Sequence, residues 1–321
     1  MEQSTYTLNF WQRIAYGLVF GFNYAVSLLP LWFLYGISDC IYAILYYLIG
    51  YRKSLVSKNL RDSFPEKSEQ ELLQIERKFY RWLCDYFVET IKLMSISKQE
   101  MCRRMQFIGT EQLYEDLAAK RHITLYLGHY CNWEWITSIP LWLKGTYAGS
   151  QLYHPMENKI FDRLFLYIRD RLGTTSIDMK EAFQILLNWR KQGYVTITGY
   201  IADQVPGFSS MHYWPQFLNH DTPTYTGTER IARVLQSSVY YISIRRPKRG
   251  YYVASYIKIC TDPSTMPKFA ITERFYRLLE NDIREHPAFW LWSHNRWKRT
   301  RADFEACYPD ENERKRILSK L

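Results

Sequence analysis

Six cysteines (Cys40, Cys84, Cys102, Cys131, Cys260 and Cys307) are scattered along the 321 residues, and no two stand in C-x-x-C spacing. That excludes a zinc ribbon, a thioredoxin-like redox pair and a disulfide framework, and points to a reducing compartment. The sequence also lacks an internal repeat, a low-complexity tract and a flexible linker, so it can bury one large core with at most an appended segment. No RRM, KH or zinc-knuckle pattern occurs, which argues against nucleic acid as a partner. Charge is missing from one long stretch: between Ile14 and Ile49 the only charged residue is Asp39. A clear signal peptide, with a short apolar core and a small-residue cleavage site, is absent there.

The uncharged stretch exceeds the roughly 20 apolar residues that a spanning helix needs, but Pro30 interrupts it. It reads as a retained anchor over residues 1–50, either one span or two shorter helices bent at Pro30 and partly in the bilayer. A buried helical hairpin is the bland alternative. Arg52, Lys53 and Lys58 follow at once. The positive-inside rule then puts residues 51–321 in the cytoplasm. The chain carries 42 Lys+Arg against 32 Asp+Glu, a net +10 that favours acidic partners. Aromatics reach 17%, with 27 Tyr, which suits a membrane interface and a large aromatic core equally.

Past the anchor, Ser68-Glu-Gln-Glu71 is a capping box. Leu72, Ile75, Phe79, Leu83, Tyr86 and Phe87 follow at helical spacing, a stripe that packs on a core. Beyond Met105 short β-rich runs (His122–Leu127, Tyr194–Ile201, Ser238–Ile244, Tyr251–Ile259) alternate with helical candidates near Trp133–Trp142, Ile160–Leu172, Lys180–Lys191 and Gly227–Leu235. The alternation predicts an α/β fold with a mostly parallel central sheet flanked by helices. Arg245–Gly250, with Pro247 and Gly250, is the expected turn of one antiparallel hairpin.

The chemistry-bearing stretch is Gly128-His-Tyr-Cys-Asn-Trp-Glu-Trp135, where an apolar strand runs out. Five residues along a helix is about 500° of rotation, so His129 and Glu134 cannot share one helix face. The pair makes sense with His129 in the turn and Glu134 in the first turn of a helix capped by Asn132. A carboxylate there could accept from one imidazole nitrogen and leave the other as a base. A purely structural His and Glu is the alternative. Cys131 is a weaker candidate nucleophile, since no basic pattern surrounds it. Zinc lacks a second ligand pair, and no metal or cofactor is implied.

Gly128–Trp135 resembles the H-x4-D/E motif of the lysophospholipid acyltransferase superfamily, in its late lipid A acyltransferase branch (lauroyl/myristoyl type). The resemblance covers nearly the whole chain through Tyr153–Thr174, Ile201–Pro206, Phe217–Ala232 and Arg245–Tyr252. It implies an inner-membrane enzyme, active at the cytoplasmic face, that moves a fatty acyl chain from acyl carrier protein (or acyl-CoA) to a hydroxyl of a lipid A precursor. His129 would be the general base and Glu134 the residue that orients it. Arg169 or Arg171, 40 and 42 residues past His129, would serve the oxyanion or a phosphate. The substrate-binding set would comprise Asn132, His154, Asp203, Gln204, Thr228 and Glu229. His154 stands where relatives often carry arginine, which weakens one head-group contact. Asp203 can equally cap a turn, and Thr226, Thr228 and Glu229 can equally open a helix.

Arg245, Arg246, Lys248 and Arg249, and the run Trp290–Arg301, are expected to dock on anionic phospholipid or on the acidic carrier, unless they are simply solvated. Two other readings stay open. One is an acyltransferase for another lipid acceptor such as lysophosphatidic acid, a glycolipid or an amino-acid lipid. The other is a non-catalytic membrane protein that binds anionic lipid.

Overall fold

A computed structural model describes residues 7–320. Helix α1 spans Phe10–Leu28 and opens on a capping box, Asn9 with Gln12. The chain breaks at Leu29–Pro30, because proline cannot donate into a continuing helix. Helix α2, Leu31–Ala43, runs without interruption into a π-helical segment, Ile44–Ile49, which ends on Gly50 at φ 66°. The stretch folds as two helices broken at Pro30. Leu31–Ile49, at 19 residues, is long and apolar enough to cross a membrane.

The two helices are built into the fold on one face and open on the other. Trp11, Leu18, Phe22, Trp32, Leu48 and Ile49 all point outward. Leu31 and Leu34 pack inward on Val88, in a later helix. After α3 (Lys53–Ser63), α4 (Glu69–Lys92) begins at the expected capping box of Ser68 and Glu71. Leu72, Phe79, Leu83 and Tyr86 of the stripe are buried, whereas Phe87 faces outward. Phe87 is about 100° round the helix from Tyr86, off the buried side.

The sheet has seven strands: β1 (Met105–Ile108), β2 (Ile123–Leu127), β3 (Ala148–Tyr153), β4 (Thr175–Asp178), β5 (Thr196–Ile201), and the later pair β8 (Ser238–Lys248) and β9 (Tyr251–Cys260). A two-stranded ribbon, β6 (Gln216–Phe217) and β7 (His220–Asp221), stands apart from it. The strand order is β1-β9-β8-β2-β5-β3-β4, and every pairing is parallel except β8 with β9. Helices α5 (Lys98–Arg104), α6 (Glu111–Ala118), α7 (Lys159–Asp170), α8 (Ala182–Lys191), α9 (Gly227–Leu235) and α10 (Ala270–Glu285) connect and flank it, and α11 (Arg301–Cys307) and α12 (Glu311–Leu318) close the chain. The β8–β9 hairpin is where it was expected, but its strands run on through Lys248. Pro247 falls in the register shift between Arg245 and Lys248, where a missing N–H costs nothing, and Gly250 makes the turn at φ 74°.

Two buried carboxylates of α4 tie these layers together. Asp85 accepts from Ser38 Oγ of α2 (2.7 Å), Arg246 Nη2 (2.6 Å) and Arg249 Nε (3.0 Å) of the hairpin tip. Glu89 accepts from Tyr35 (2.8 Å), from Asn132 (2.7 Å) and from Tyr252 on β9 (2.7 Å). Breaking such a buried pair leaves a charge uncompensated. Asp85→Ala should therefore cost about 3–5 kcal/mol. Thermal denaturation of the detergent-solubilised protein reads this, and an unchanged melting temperature would contradict the tie.

Candidate active site

Strand β2 is entirely buried and pairs with β5 in a register that places Leu127 opposite Ile201. The next residues, Gly128-His129 and Ala202-Asp203, therefore leave the sheet side by side at its carboxyl edge, the usual ligand-binding rim of such sheets. Ala202 N donates to Leu127 O at 3.0 Å and locks that level. Asp203 reaches across and accepts twice from His129: from its backbone N–H at 2.8 Å and from ring Nδ1 at 2.6 Å. The indole of Trp290 donates to the same carboxylate at 2.8 Å. A Cβ on Gly128 would lie 2.7 Å from Leu279 Cδ1 and 3.3 Å from Asp203 Oδ2, so the close approach needs glycine.

The corner is also held from its other side. Leu291 N donates to His129 O at 3.1 Å, and Cys131 N donates to Phe289 O at 2.8 Å. Cys131 sits at φ 50°, fully buried, and burial raises its thiol well above the ordinary value. A thiol so held is not a nucleophile.

Asp203, only 2% exposed, still titrates low, at about 2. Burial pushes it up, but the nearby imidazole and the three N–H donors outweigh that. An ionised carboxylate can only accept, so Nδ1 carries a proton, and in the neutral imidazole Nε2 holds the lone pair. That lone pair faces Gln204 Nε2 at 3.2 Å. The His129 side chain keeps 16% of its surface open. His294 lies near both groups. Burial, partly offset by the Asp203 charge, pushes this imidazole down to about 4, and its Nε2 has no hydrogen-bond partner.

The carboxylate partner of His129 is thus Asp203 rather than the expected Glu134. Glu134 does open a helix, a 3-10 helix over Trp133–Leu141, with Asn132 accepting from Trp135 N as the cap. Its carboxylate is taken by Arg169 in a fork: Nε to Oε2 at 2.8 Å and Nη2 to Oε1 at 2.6 Å. Tyr86 adds a longer hydrogen bond at 3.4 Å. Burial raises the Glu134 carboxyl, but Arg169 overrides it and leaves it below the ordinary value. The His129 charge contributes to that lowering, so the two pairs are neighbours. Between them stands Trp133, edge-on to the imidazole at 5.0 Å and close over the Tyr86 ring at 4.2 Å.

The arginine left open in the sequence is also assigned a place. Arg169 meets Glu134, whereas Arg171 turns away and donates to Leu93 O at 3.1 Å. Asn132 is fully buried between Trp135 N and Glu89, as part of the scaffold. His154 follows β3 on the same rim, exposed, with Nδ1 donating to Pro155 O at 2.9 Å. Thr228 and Glu229 open α9 and are buried. Glu229 accepts from Phe269 N, Thr272 N, Thr272 Oγ1 and Arg233, so its carboxylate pins the start of α10.

The second basic cluster is a surface only in part, with Lys298 and Arg301 exposed. Trp290, Trp292 and Arg296 are buried, and Arg296 donates inward to Pro223 O and Tyr276. Trp290, Tyr86 and His294 joined the site without being named for it. Tyr86 arrives from α4, and Trp290 and His294 from the segment that follows α10, so only the fold brings them to the histidine.

The profile described as bacterial lipid A biosynthesis acyltransferase matches residues 4–299. The chain is also similar to the lipid A biosynthesis lauroyltransferase of Escherichia coli (strain K12), 26% identical over 254 residues that cover 77% of this chain and 79% of that protein.

The depressed pKa of Asp203 has a pH signature. Its folded value, about 2, lies below the unfolded value near 3.9. Its stabilising contribution is therefore complete above about pH 4 and fades as pH falls toward 2. The stability difference between wild type and Asp203→Asn should shrink as pH falls from about 4 to 2, where His129 is protonated in both proteins and only the carboxylate titrates. Denaturant unfolding across that range checks it, and a difference independent of pH would contradict the ionised pair.

Proposed function

The chain belongs to the bacterial lipid A biosynthesis acyltransferases, and from that premise we propose that it moves a fatty acyl group from a thioester, on acyl carrier protein or coenzyme A, to a hydroxyl of a lipid A precursor, with His129 as the general base. The observation that carries this reading is the imidazole itself. One nitrogen is fixed by an ionised carboxylate, and the other keeps its lone pair at the open rim of the sheet.

The chemistry follows from those atoms. The acceptor hydroxyl takes the position of the Gln204 amide against Nε2 and gives it the proton as its oxygen attacks the thioester carbonyl. Asp203 stays ionised, stabilises the imidazolium and holds the tautomer, the part first expected of Glu134. The tetrahedral oxyanion needs a donor, and Arg169 supplies it. Its Nε and Nη2 are fixed by Glu134, which leaves Nη1 outside every hydrogen bond among the described residues. Collapse of the intermediate expels the thiolate, which recovers the proton from Nε2. No acyl-enzyme forms. Glu134 is a positioning residue that aims the guanidinium.

The outward face of α1 and α2 fits a lipid acceptor that stays embedded while it reacts. With Arg52 and Lys53 directly after Ile49, the reading places the sheet at the cytoplasmic face of the inner membrane.

His129→Ala should abolish transfer to an isolated lipid A precursor while the protein stays folded. Retained turnover would remove the base. Asp203→Asn should lower kcat roughly a hundred- to ten-thousand-fold and alter the limb of the pH–rate profile that reports the base. Glu134→Gln should slow transfer without moving that limb. The reverse pattern would return the orienting role to Glu134. Mass spectrometry of the product gives the acyl chain transferred.

A further inference from the structure

We propose that a basic cleft between α2, α4 and the tip of the β8–β9 hairpin seats a phosphate group of the acceptor lipid. The inference rests on the reaction proposed above. The cleft has a volume of about 680 Å³ and is lined by Asp39 and Tyr42, by Lys78, Arg81, Trp82 and Asp85, by Arg246, Lys248 and Arg249, and by Phe289. That is within the size range of small-molecule sites.

Its charges are not balanced. Five cations face two carboxylates. Arg249 bridges both Asp39 and Asp85, and Arg246 donates to Asp85 as well. The two carboxylates are therefore consumed. Lys78, Arg81 and Lys248 have no carboxylate partner among the described residues, and all three are exposed. Lys248 and Arg81 instead lie over aromatic rings, at 4.0 Å from Tyr251 and 5.1 Å from Tyr42. Behind them the Arg246 side chain is only 9% exposed, and its Nε is buried with no hydrogen-bond partner. A buried N–H of a cation left unpaired is costly, and an anion entering the cleft would relieve it.

The position of the cleft favours a lipid phosphate over an acidic protein. Asp39 and Tyr42 belong to α2, part of Leu31–Ile49, so the cleft opens beside the helix suited to a membrane. Its far wall leads to the base: Trp82 stands 6.1 Å from Trp133, whose ring meets the imidazole at 5.0 Å. Phe289 joins the same corner through Cys131 N. A phosphate monoester seated here would hold a sugar head group within reach of His129, whereas a convex acidic surface could not reach Arg246.

The test uses full-length protein in detergent micelles and compares Kd for a bis-phosphorylated, acylated glucosamine disaccharide with Kd for its dephosphorylated form. Wild type should prefer the phosphorylated lipid by about tenfold or more. In the triple variant Lys78→Ala, Arg81→Ala, Lys248→Ala that preference should fall to about one. The charge-preserving triple Lys78→Arg, Arg81→Lys, Lys248→Arg should keep it, which separates charge from folding. A preference unchanged in the alanine variant would overturn the site. So would an equal loss of binding to phosphatidylglycerol vesicles, which would make the cleft a general anionic contact. His129→Ala should lose transfer yet keep the preference. A wild type inert in transfer, but with a preference that collapses on alanine substitution, would support the phosphate seat and count against the reaction.

Discussion

The hydrogen bond between the His129 imidazole and the Asp203 carboxylate depends on one constraint, the register of two adjacent parallel strands. Residues 74 positions apart in sequence meet because β2 and β5 end at the same level. In an open parallel sheet the carboxyl ends of the strands release their next residues to one edge, free of ladder hydrogen bonds. Here that freedom is removed again by specific contacts. Asp203 spends its acceptor capacity on a backbone N–H, a ring N–H and an indole N–H, and the segment at Phe289–Leu291 is zipped to the loop that carries the histidine. An imidazole held in this way does not have to reorganise when a proton arrives.

A second ion pair sits beside the first and does different work. The Glu134–Arg169 fork is nearly buried, and each partner is tolerable there only because of the other. Arginine suits this place because its planar fork can give two N–H groups to a carboxylate and still present a third. In the proposed mechanism the two needs of acyl transfer, a base and an oxyanion donor, fall to two separate pairs, with Trp133 beside the imidazole. The Glu134–Arg169 pair meets α4 through Tyr86, and Glu89 of the same helix receives Asn132 at the start of the 3-10 helix.

The apolar N-terminal helices share in this framework. They rest on α4 through Leu31, Leu34 and Val88, and through hydrogen bonds from Ser38 and Tyr35 to the same two carboxylates that organise the interior. They are bound to the catalytic layer, more closely than a tethering anchor would be. In the proposed reaction a lipid approaching along their outer face would arrive at a fixed height relative to the sheet, beside the basic cleft that α2 helps to line.

Much of this was legible in the chain itself. The capping box at Ser68, the break at Pro30, the hairpin closed by Gly250, the parallel sheet and the turn carrying His129 each follow from local pattern, because periodicity, missing N–H groups and glycine act within a few residues. The short strands β1, β3 and β4 gave no such pattern. What the sequence could not settle was which charge meets which. It put Glu134 on His129 because the two are close in the chain, and it set Arg246 and Arg296 on the surface because charge runs usually are. Only the folded arrangement gives Asp203 to the imidazole, Glu134 to Arg169 and Asp85 to the hairpin arginines. Ion pairing is decided by distance and desolvation in three dimensions, and those are set by strand register and by helices packed from remote parts of the chain.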